Sequence, residues 1–547
     1  MHKPLFALAA VLLTSPAWSD TLVTNVNGIQ IGADGEVQHF TGLLIGDDGK
    51  VRSALTGPPP PKTFEHTVDG GGRTLMPGLI DAHGHVLGLG LIALQLDLAG
   101  TTSLADLQQR LRAYAAAHPD ARWIIGRGWN HELWPDKRFP TAADLDAIVP
   151  DRPVWLARVD GHAAVANSAA LRAAGVTQET KAPPGGHIEN GLFVDAARQL
   201  IDKTVPPPTP AELDQALAKA QEILLSYGVT SVGSMSTSLV DWEAIRRAGD
   251  AGRLQVRLMA YADELHLLGE VPRPTPWLYG DRLKMVGVKF YGDGALGSRG
   301  AWLKRPYADA PTSGLPQFET GQLLKSVERA AGAGFQIAIH AIGDAANAQV
   351  ISVYEELSKE YGHDRRWRIE HFQIADPADI PRLAPAGIIA SMEPTHQTSD
   401  RLMAEKRLGP NRLPGAYAWQ SVLKSGARLA FGSDFPVESP NPFPGLAAAV
   451  SRQDMNGEPQ GGWIPSERLT LAQALDAFTR GAAYAGFAED RIGALEPGKW
   501  ADFILVDRDP TKVDPRALGR TEVMETWIAG KKVWERSPSP SRTERGK

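Results

Sequence analysis

Cysteine is absent from the 547 residues, which excludes disulfides, thiolate metal ligands and a lipid-modified cysteine near the N-terminus. No uninterrupted apolar stretch reaches the roughly 20 residues needed for a membrane-spanning helix. Positive charge is not in excess either. Lys and Arg total 57 against 63 Asp and Glu, a formal net charge of −6, so the electrostatic footprint of a nucleic-acid partner is missing. No Gly-rich phosphate loop follows the first strand of the long middle region, which counts against a doubly wound nucleotide-binding sheet. What remains is an ordinary globular composition, 43% hydrophobic and 22% charged. The length allows several domains, or one large α/β barrel with appended modules.

The first residues depart from that composition. His2 and Lys3 make a short, weakly positive start, and residues 4–13 are almost wholly apolar. Ala17-Trp18-Ser19 then places small residues three and one before a cut preceding Asp20. This is the layout of a secretory signal peptide over residues 1–19, with a buried N-terminal helix as the alternative. The expected mature protein is periplasmic or secreted, without stable membrane insertion.

Residues 20–78 are rich in β-branched residues and Gly/Asp turns, and a matching stretch occupies 488–535. The two ends are expected to pair into one small β-sandwich. Residues 536–547, SPSPSRTERGK with its preceding Arg, carry no apolar content and read as a disordered tail. Between them, residues 79–487 alternate β-branched runs (LKMVGVKFYG, FQIAIHAIG, WRIEHFQ, GIIASMEP, ARLAFGSD) with amphipathic helical runs. That alternation predicts a parallel sheet, and the placement of polar residues at run ends favours a (β/α)8 barrel. Residues 98–208 are too long for one barrel loop and read as an inserted subdomain over the barrel mouth.

His83 and His85 end an apolar run that starts at Leu75. On a strand, residues i and i+2 face the same way, so both imidazoles can reach one ion. Chance alone gives about 0.4 such pairs in a chain of this composition, so the pair is informative only in context. Four further polar residues supply it: Lys289 in VGVKFYG, His340 ending FQIAIH, His371 in WRIEHF and Asp434 ending LAFGSD. Barrel strand ends converge on one mouth, and a buried cluster of this composition is stabilised by a divalent cation. Nitrogen and oxygen ligands suit zinc, with manganese, iron, nickel or cobalt allowed. The alternatives are core histidines satisfied by backbone, a helix cap at Asp434, and a Lys289 that snorkels or pairs with Asp293. Burial would neutralise Lys289, and a neutral amine can add carbon dioxide to form a carbamate that bridges two ions. His83, His85 and Asp434 would then hold one ion, and His340 with His371 the other. An uncarboxylated Lys289 leaves a site for one.

These motifs resemble the amidohydrolase superfamily, and more closely its family 3 branch of N-substituted formamide deformylase-like proteins. PGLIDAHGH is similar to the first-strand signature, VKFYGDGALGSRGAWL to the lysine segment, HAIGDAA and IEHFQ to the later histidine motifs, and GSDFPV to the terminal aspartate motif. GWNHELWP and RPVWLARVDGHAAVANSAAL resemble the branch's insert, and IGALEPGKWADFILVD its return to the small β domain. The resemblance covers nearly the whole mature chain and implies zinc, a barrel with a β-sandwich, and hydrolysis of C–N bonds. The chain departs from the pattern twice. GGHIENGLFVDAA is short, and Glu393–His396 reads EPTH where Gln-Pro-x-His is more usual. Both departures bear on specificity.

The expected chemistry is metal-assisted hydrolysis of a small molecule, with Asp434 orienting water, taking its proton and delivering it to the leaving nitrogen. A histidine can stabilise the tetrahedral oxyanion, and His162 is the candidate for that contact or for substrate recognition, with fixing the insert as its alternative role. Asp293 and Arg299 are candidates for shaping the substrate pocket, and Trp129 and Trp134 for lining it or for packing. Rival readings are ester or lactone hydrolysis or decarboxylation on the same barrel, and an exported binding protein that has lost catalysis. The sequence is compatible with a homo-oligomer.

Overall fold

The computed structural model describes residues 20–58, 64–159, 161–183, 185–263 and 265–537. The signal peptide assigned to residues 1–19 and the tail beyond residue 537 lie outside the described residues. Eight strands form one sheet in chain order: β1 (Leu79–Gly84), β2 (Val229–Thr237), β3 (Arg257–Asp263), β4 (Leu283–Tyr291), β5 (Gln336–Ala341), β6 (Arg368–His371), β7 (Ile389–Met392) and β8 (Arg428–Phe431). All seven neighbouring pairs are parallel. The edges meet just past their strand ends. Asp434 N donates to His83 O at 2.8 Å and His85 N to Phe435 O at 2.8 Å, with a parallel bridge between Gly84 and Phe435. The result is a nearly closed barrel, the architecture expected from the alternating runs.

Strands buried on both faces read as continuous apolar runs, and β4 is buried at every position but the last. The crossovers are amphipathic. In the helix Thr320–Gly332, Leu323, Val327 and Ala330 recur at helical spacing and are buried. Ile80, Met259, Val286, Ala338, Ile389 and Ala430, from six of the strands, pack with Ala482, Ala483 and Ala485 of the helix Arg480–Ala485. The polar groups lie toward the opposite, C-terminal strand ends.

The two chain ends make the β-sandwich. In its six-stranded sheet, Thr74–Pro77 from the N-terminal part pairs antiparallel with Phe503–Val506 from the C-terminal part. Val51–Leu55, Gly42–Ile45, Thr21–Thr24 and His66–Asp69 form the second sheet. Val23, Leu43, Leu75, Phe503 and Trp527 share one core, with the Phe503 and Trp527 rings stacked 5.2 Å apart. The apolar run before the first histidine pair is therefore two strands. Residues 74–77 belong to the sandwich and 79–84 to the barrel.

Residues 86–221 and 240–248 form a second compact unit, within which the segment 98–208 falls. Its six-stranded sheet is built from Leu96–Asp97, Ile124–Trp129, Val154–Arg158, Ala163–Ala166, Leu192–Asp195 and Gly186–Glu189. Leu107 and Leu111 of the helix Leu104–Ala117 pack on it with Trp129 and Trp134. Both tryptophans are buried and donate from Nε1 to carbonyl oxygens, Trp129 to Leu156 at 2.8 Å and Trp134 to Thr101 at 3.0 Å. They are packing residues of this unit, which removes them as pocket lining.

A buried ion pair ties the barrel to the sandwich. Arg257 of β3 donates from Nε and Nη2 to the two oxygens of Asp502 at 2.6 and 2.9 Å. Asp502 also accepts from Ala529 N at 2.8 Å. Removing one partner of a buried pair strands the other charge, a loss of about 3–5 kcal/mol. Asp502→Ala should therefore lower the unfolding free energy by about that amount in a denaturant titration. A change within 1 kcal/mol or so, as for a surface pair, would show that the contact contributes little.

Candidate metal centre

His83 lies in β1, His85 immediately follows it, and Asp434 lies beyond β8 across the barrel seam. Asp434 Oδ1 is 3.1 Å from His85 Nε2 and 3.4 Å from His83 Nε2, yet it has no aligned hydrogen bond among the described residues. Two imidazole nitrogens and a carboxylate oxygen thus converge on one point, a possible set of metal ligands. Lys289, on β4, is buried and places Nζ 3.2 Å from His83 Nε2.

Buried partners fix these side chains from behind. His83 Nδ1 meets Glu370 Oε2 at 2.6 Å, which leaves Nε2 facing Asp434. Glu370 is held by Arg368, which donates from Nε and Nη2 to its two oxygens at 2.7 and 2.9 Å. Asp81 crosses the seam, accepting from Ser433 Oγ at 2.6 Å and from the backbone N–H groups of His83 and Ser433 at 3.1 Å. Burial pushes the Asp81 carboxyl up to about 7, against these hydrogen bonds. Gly432 permits this approach, since a Cβ there would sit 2.6 Å from His83 N and 2.7 Å from Asp81 Oδ1.

The other half of the site comes from β5, β6 and β7. The His340 and His371 rings are 4.6 Å apart, and those of His83 and His371 4.7 Å. His371 Nδ1 meets Glu393 Oε2 at 3.0 Å, and His83, His371 and Glu393 form a second group able to hold an ion. His396, one turn into the helix Pro394–Leu408, faces Glu393 Oε2 at 3.4 Å with Nδ1 and Asp434 Oδ2 at 4.0 Å with Nε2. His371 and Asp434 are held at positive φ, 75° and 56°. For a non-glycine residue this left-handed backbone costs about 1–3 kcal/mol and persists only where surrounding contacts enforce it.

Electrostatics suit cation binding. Burial, reinforced by neighbouring cationic groups, holds His83 and His340 well below the usual histidine range, so both are neutral and able to ligate. Burial likewise lowers the Lys289 ammonium. Burial alone would raise Asp434, but His85, His371 and His396 outweigh it and keep the carboxylate ionised. The same competition, between burial and the two histidines beside it, leaves Glu393 below the usual carboxylate range. For His396 burial is overcome by Glu393, which raises the imidazole to about 9. Asp434 Oδ1, Glu393 Oε1 and His340 Nε2 are buried without hydrogen-bond partners among the described residues. Orphaned, ionised oxygens beside neutral imidazoles fit a divalent ion.

The remaining expected site residues divide. Asp293 is buried and accepts backbone N–H bonds from Trp302, Ile342 and Gly343 at 2.8–2.9 Å. It lies 3.5 Å from His340 Nε2, so it joins the loops after β4 and β5 beside that ring. Burial pushes its carboxyl to about 7. Arg299 turns to Asp309, with Nη2 3.0 Å from Oδ2. His162 belongs to the second unit, where it is exposed and Nδ1 lies 2.8 Å from Asp195 Oδ1. No sequence signal marks Arg368, Glu370 or Asp81 as part of the site. Glu393 and His396 are visible in the sequence only through the EPTH departure from a motif.

A parallel barrel with imidazoles, a lysine and carboxylates at its C-terminal strand ends defines a metal-dependent hydrolase. The chain belongs to the amidohydrolase family, whose profile matches residues 66–534. It is 34% identical over 490 residues to the Arabidopsis thaliana protein LONG AFTER FAR-RED 3, covering 85% of this chain and 82% of that one. It is 26% identical over 524 residues to the N-substituted formamide deformylase of Arthrobacter pascens, covering 91% and 94%. Among solved structures it resembles an uncharacterized metal-dependent hydrolase from Pyrococcus horikoshii, with TM-score 0.77 and 30% identity over 91% of this chain and 99% of that one.

The contact between Glu370 and His83 yields a direct test. Losing the carboxylate behind a ligating histidine weakens metal binding about 10–100-fold. Glu370→Gln should show that loss in competition against a chelator. Unchanged affinity would show that His83 is not oriented through Glu370.

Proposed function

We propose that this amidohydrolase cleaves a non-peptide C–N bond in a small amide, of the N-formyl or N-acyl amine type, with metal-activated water. The observation that carries the reading is the convergence of His83 Nε2 and His85 Nε2 on Asp434 Oδ1, an ionised oxygen without an aligned hydrogen bond. The similarity to N-substituted formamide deformylase supports the choice of bond. His83, His85 and Asp434 would hold one ion, and His340 and His371 a second, with Lys289 between them as a carbamate. Zinc fits the donor set, and an ion there supplies Lewis-acid polarisation and water of lowered pKa.

The chain's own residues do the rest. Asp434 takes a proton from water as the water oxygen bonds to the carbonyl carbon. It returns that proton to nitrogen as the C–N bond breaks, so one water yields an acid and an amine. Glu370 and Glu393 hold His83 and His371 by their Nδ1 atoms throughout. The composition of residues 1–19 supports export to the periplasm or beyond.

The test is turnover of N-benzylformamide and N-benzylacetamide by zinc-loaded protein, with benzyl formate alongside. Release of benzylamine is expected; ester cleavage without amide cleavage would contradict the choice of bond. Asp434→Asn should lower kcat/KM by about 10²–10⁴-fold, the usual contribution of a positioned acid–base group. Retained activity would remove Asp434 from the proton path.

A further inference from the structure

The mechanism above leaves a buried imidazole beside the centre unused. His396 follows β7 on the first turn of its helix and is 6% exposed. Its ring lies nearly parallel to that of His371, with centroids 6.1 Å apart and planes at 26°. It is a member of neither candidate ligand group. Nδ1 is 3.4 Å from Glu393 Oε2 and 3.0 Å from the side-chain amide of Gln373. It is the amide nitrogen of Gln373 that faces Nδ1 and can donate to it. Nε2 is aimed toward Asp434, 4.0 Å from Oδ2, and is buried with no hydrogen-bond partner among the described residues.

With the Gln373 amide nitrogen donating to Nδ1, the ring carries its hydrogen on Nε2. The Nδ1 side is satisfied by Gln373; the Nε2 side is left for something that arrives. Buried donors without acceptors are disfavoured in the resting protein, and they are retained where a ligand completes the bond. In amide hydrolysis the electron pair that leaves the C=O bond collects on oxygen when water adds, and it returns as the C–N bond breaks. An N–H beside Asp434 lies next to the carboxylate that handles the proton.

We propose that His396 is a catalytic residue whose Nε2–H donates a hydrogen bond to the oxyanion of the tetrahedral state, with Gln373 fixing the ring through Nδ1. This rests on the hydrolase reading above, but it can be tested without a turnover assay. Methylphosphonate presents charged oxygens on a tetrahedral centre. Its binding to the zinc-loaded full-length protein is measured by calorimetry for the wild type, His396→Met and His396→Gln, with bound zinc and thermal midpoint recorded for each. His396→Met, similar in bulk but without a donor, should bind at least about tenfold more weakly with unchanged zinc content. His396→Gln, which keeps an N–H, should lose less, and it carries the test if the methionine variant does not fold. Equal binding by wild type and His396→Met overturns the proposal. So does loss of zinc in step with loss of binding, which would make His396 a ligand, or binding by none of the proteins. Intact discrimination in a protein that cleaves no amide would sink the C–N reading alone.

Discussion

Arg368, Glu370 and His83 form the chain of contacts on which the centre depends. The guanidinium is 1% exposed and could not remain buried without neutralisation. Glu370 supplies it, taking two hydrogen bonds, while Tyr261 OH on β3, Ala82 O on β1 and Ser391 Oγ on β7 each accept at 2.9 Å. One buried cation therefore ties four strands of the barrel together. Glu370 also reaches His83 across 287 residues of sequence. Changing that carboxylate would disturb the cross-barrel contacts and the imidazole together.

From His83 the order spreads outward. Its Nε2 faces Asp434, its backbone is bound to Asp81 and to the residue that closes the barrel, and Gly432 lets the seam approach closely. Glu393 repeats the arrangement on His371. The two pairs share a physical logic: a carboxylate on Nδ1 sets which nitrogen remains available. The left-handed backbone at His371 and Asp434 falls where these contacts are densest. That distribution is expected if packing and hydrogen bonding enforce a costly conformation to aim two side chains.

The barrel, the sandwich and its two-ended construction were legible because each rests on local periodicity. Strands buried on both faces leave continuous apolar runs, and amphipathic helices interrupt them. His83 and His85 could be read from strand alternation, and His340 and Asp434 from their positions at the ends of runs. Lys289 and His371 were visible as polar residues in otherwise apolar strands. Arg368 and Glu370 sit in the same WRIEHF segment, but nothing local marks their partners on β1 and β3. Their pairing is a property of the closed barrel. His396 left a trace only through EPTH, and a motif departure does not reveal that the ring points back at Asp434. Arg299 shows the converse limit, since a glycine-rich segment near the lysine does not decide which way an arginine turns.

The strand-end cluster stands or falls as a metal centre on its metal content. The decisive measurement is elemental mass spectrometry of the full-length protein, purified without chelators and then equilibrated with zinc. About two equivalents of divalent metal per chain are predicted, as the proposed two-ion reading requires. No retained metal, even after zinc loading, would contradict the assignment of His83, His85, His340, His371 and Asp434 as ligands.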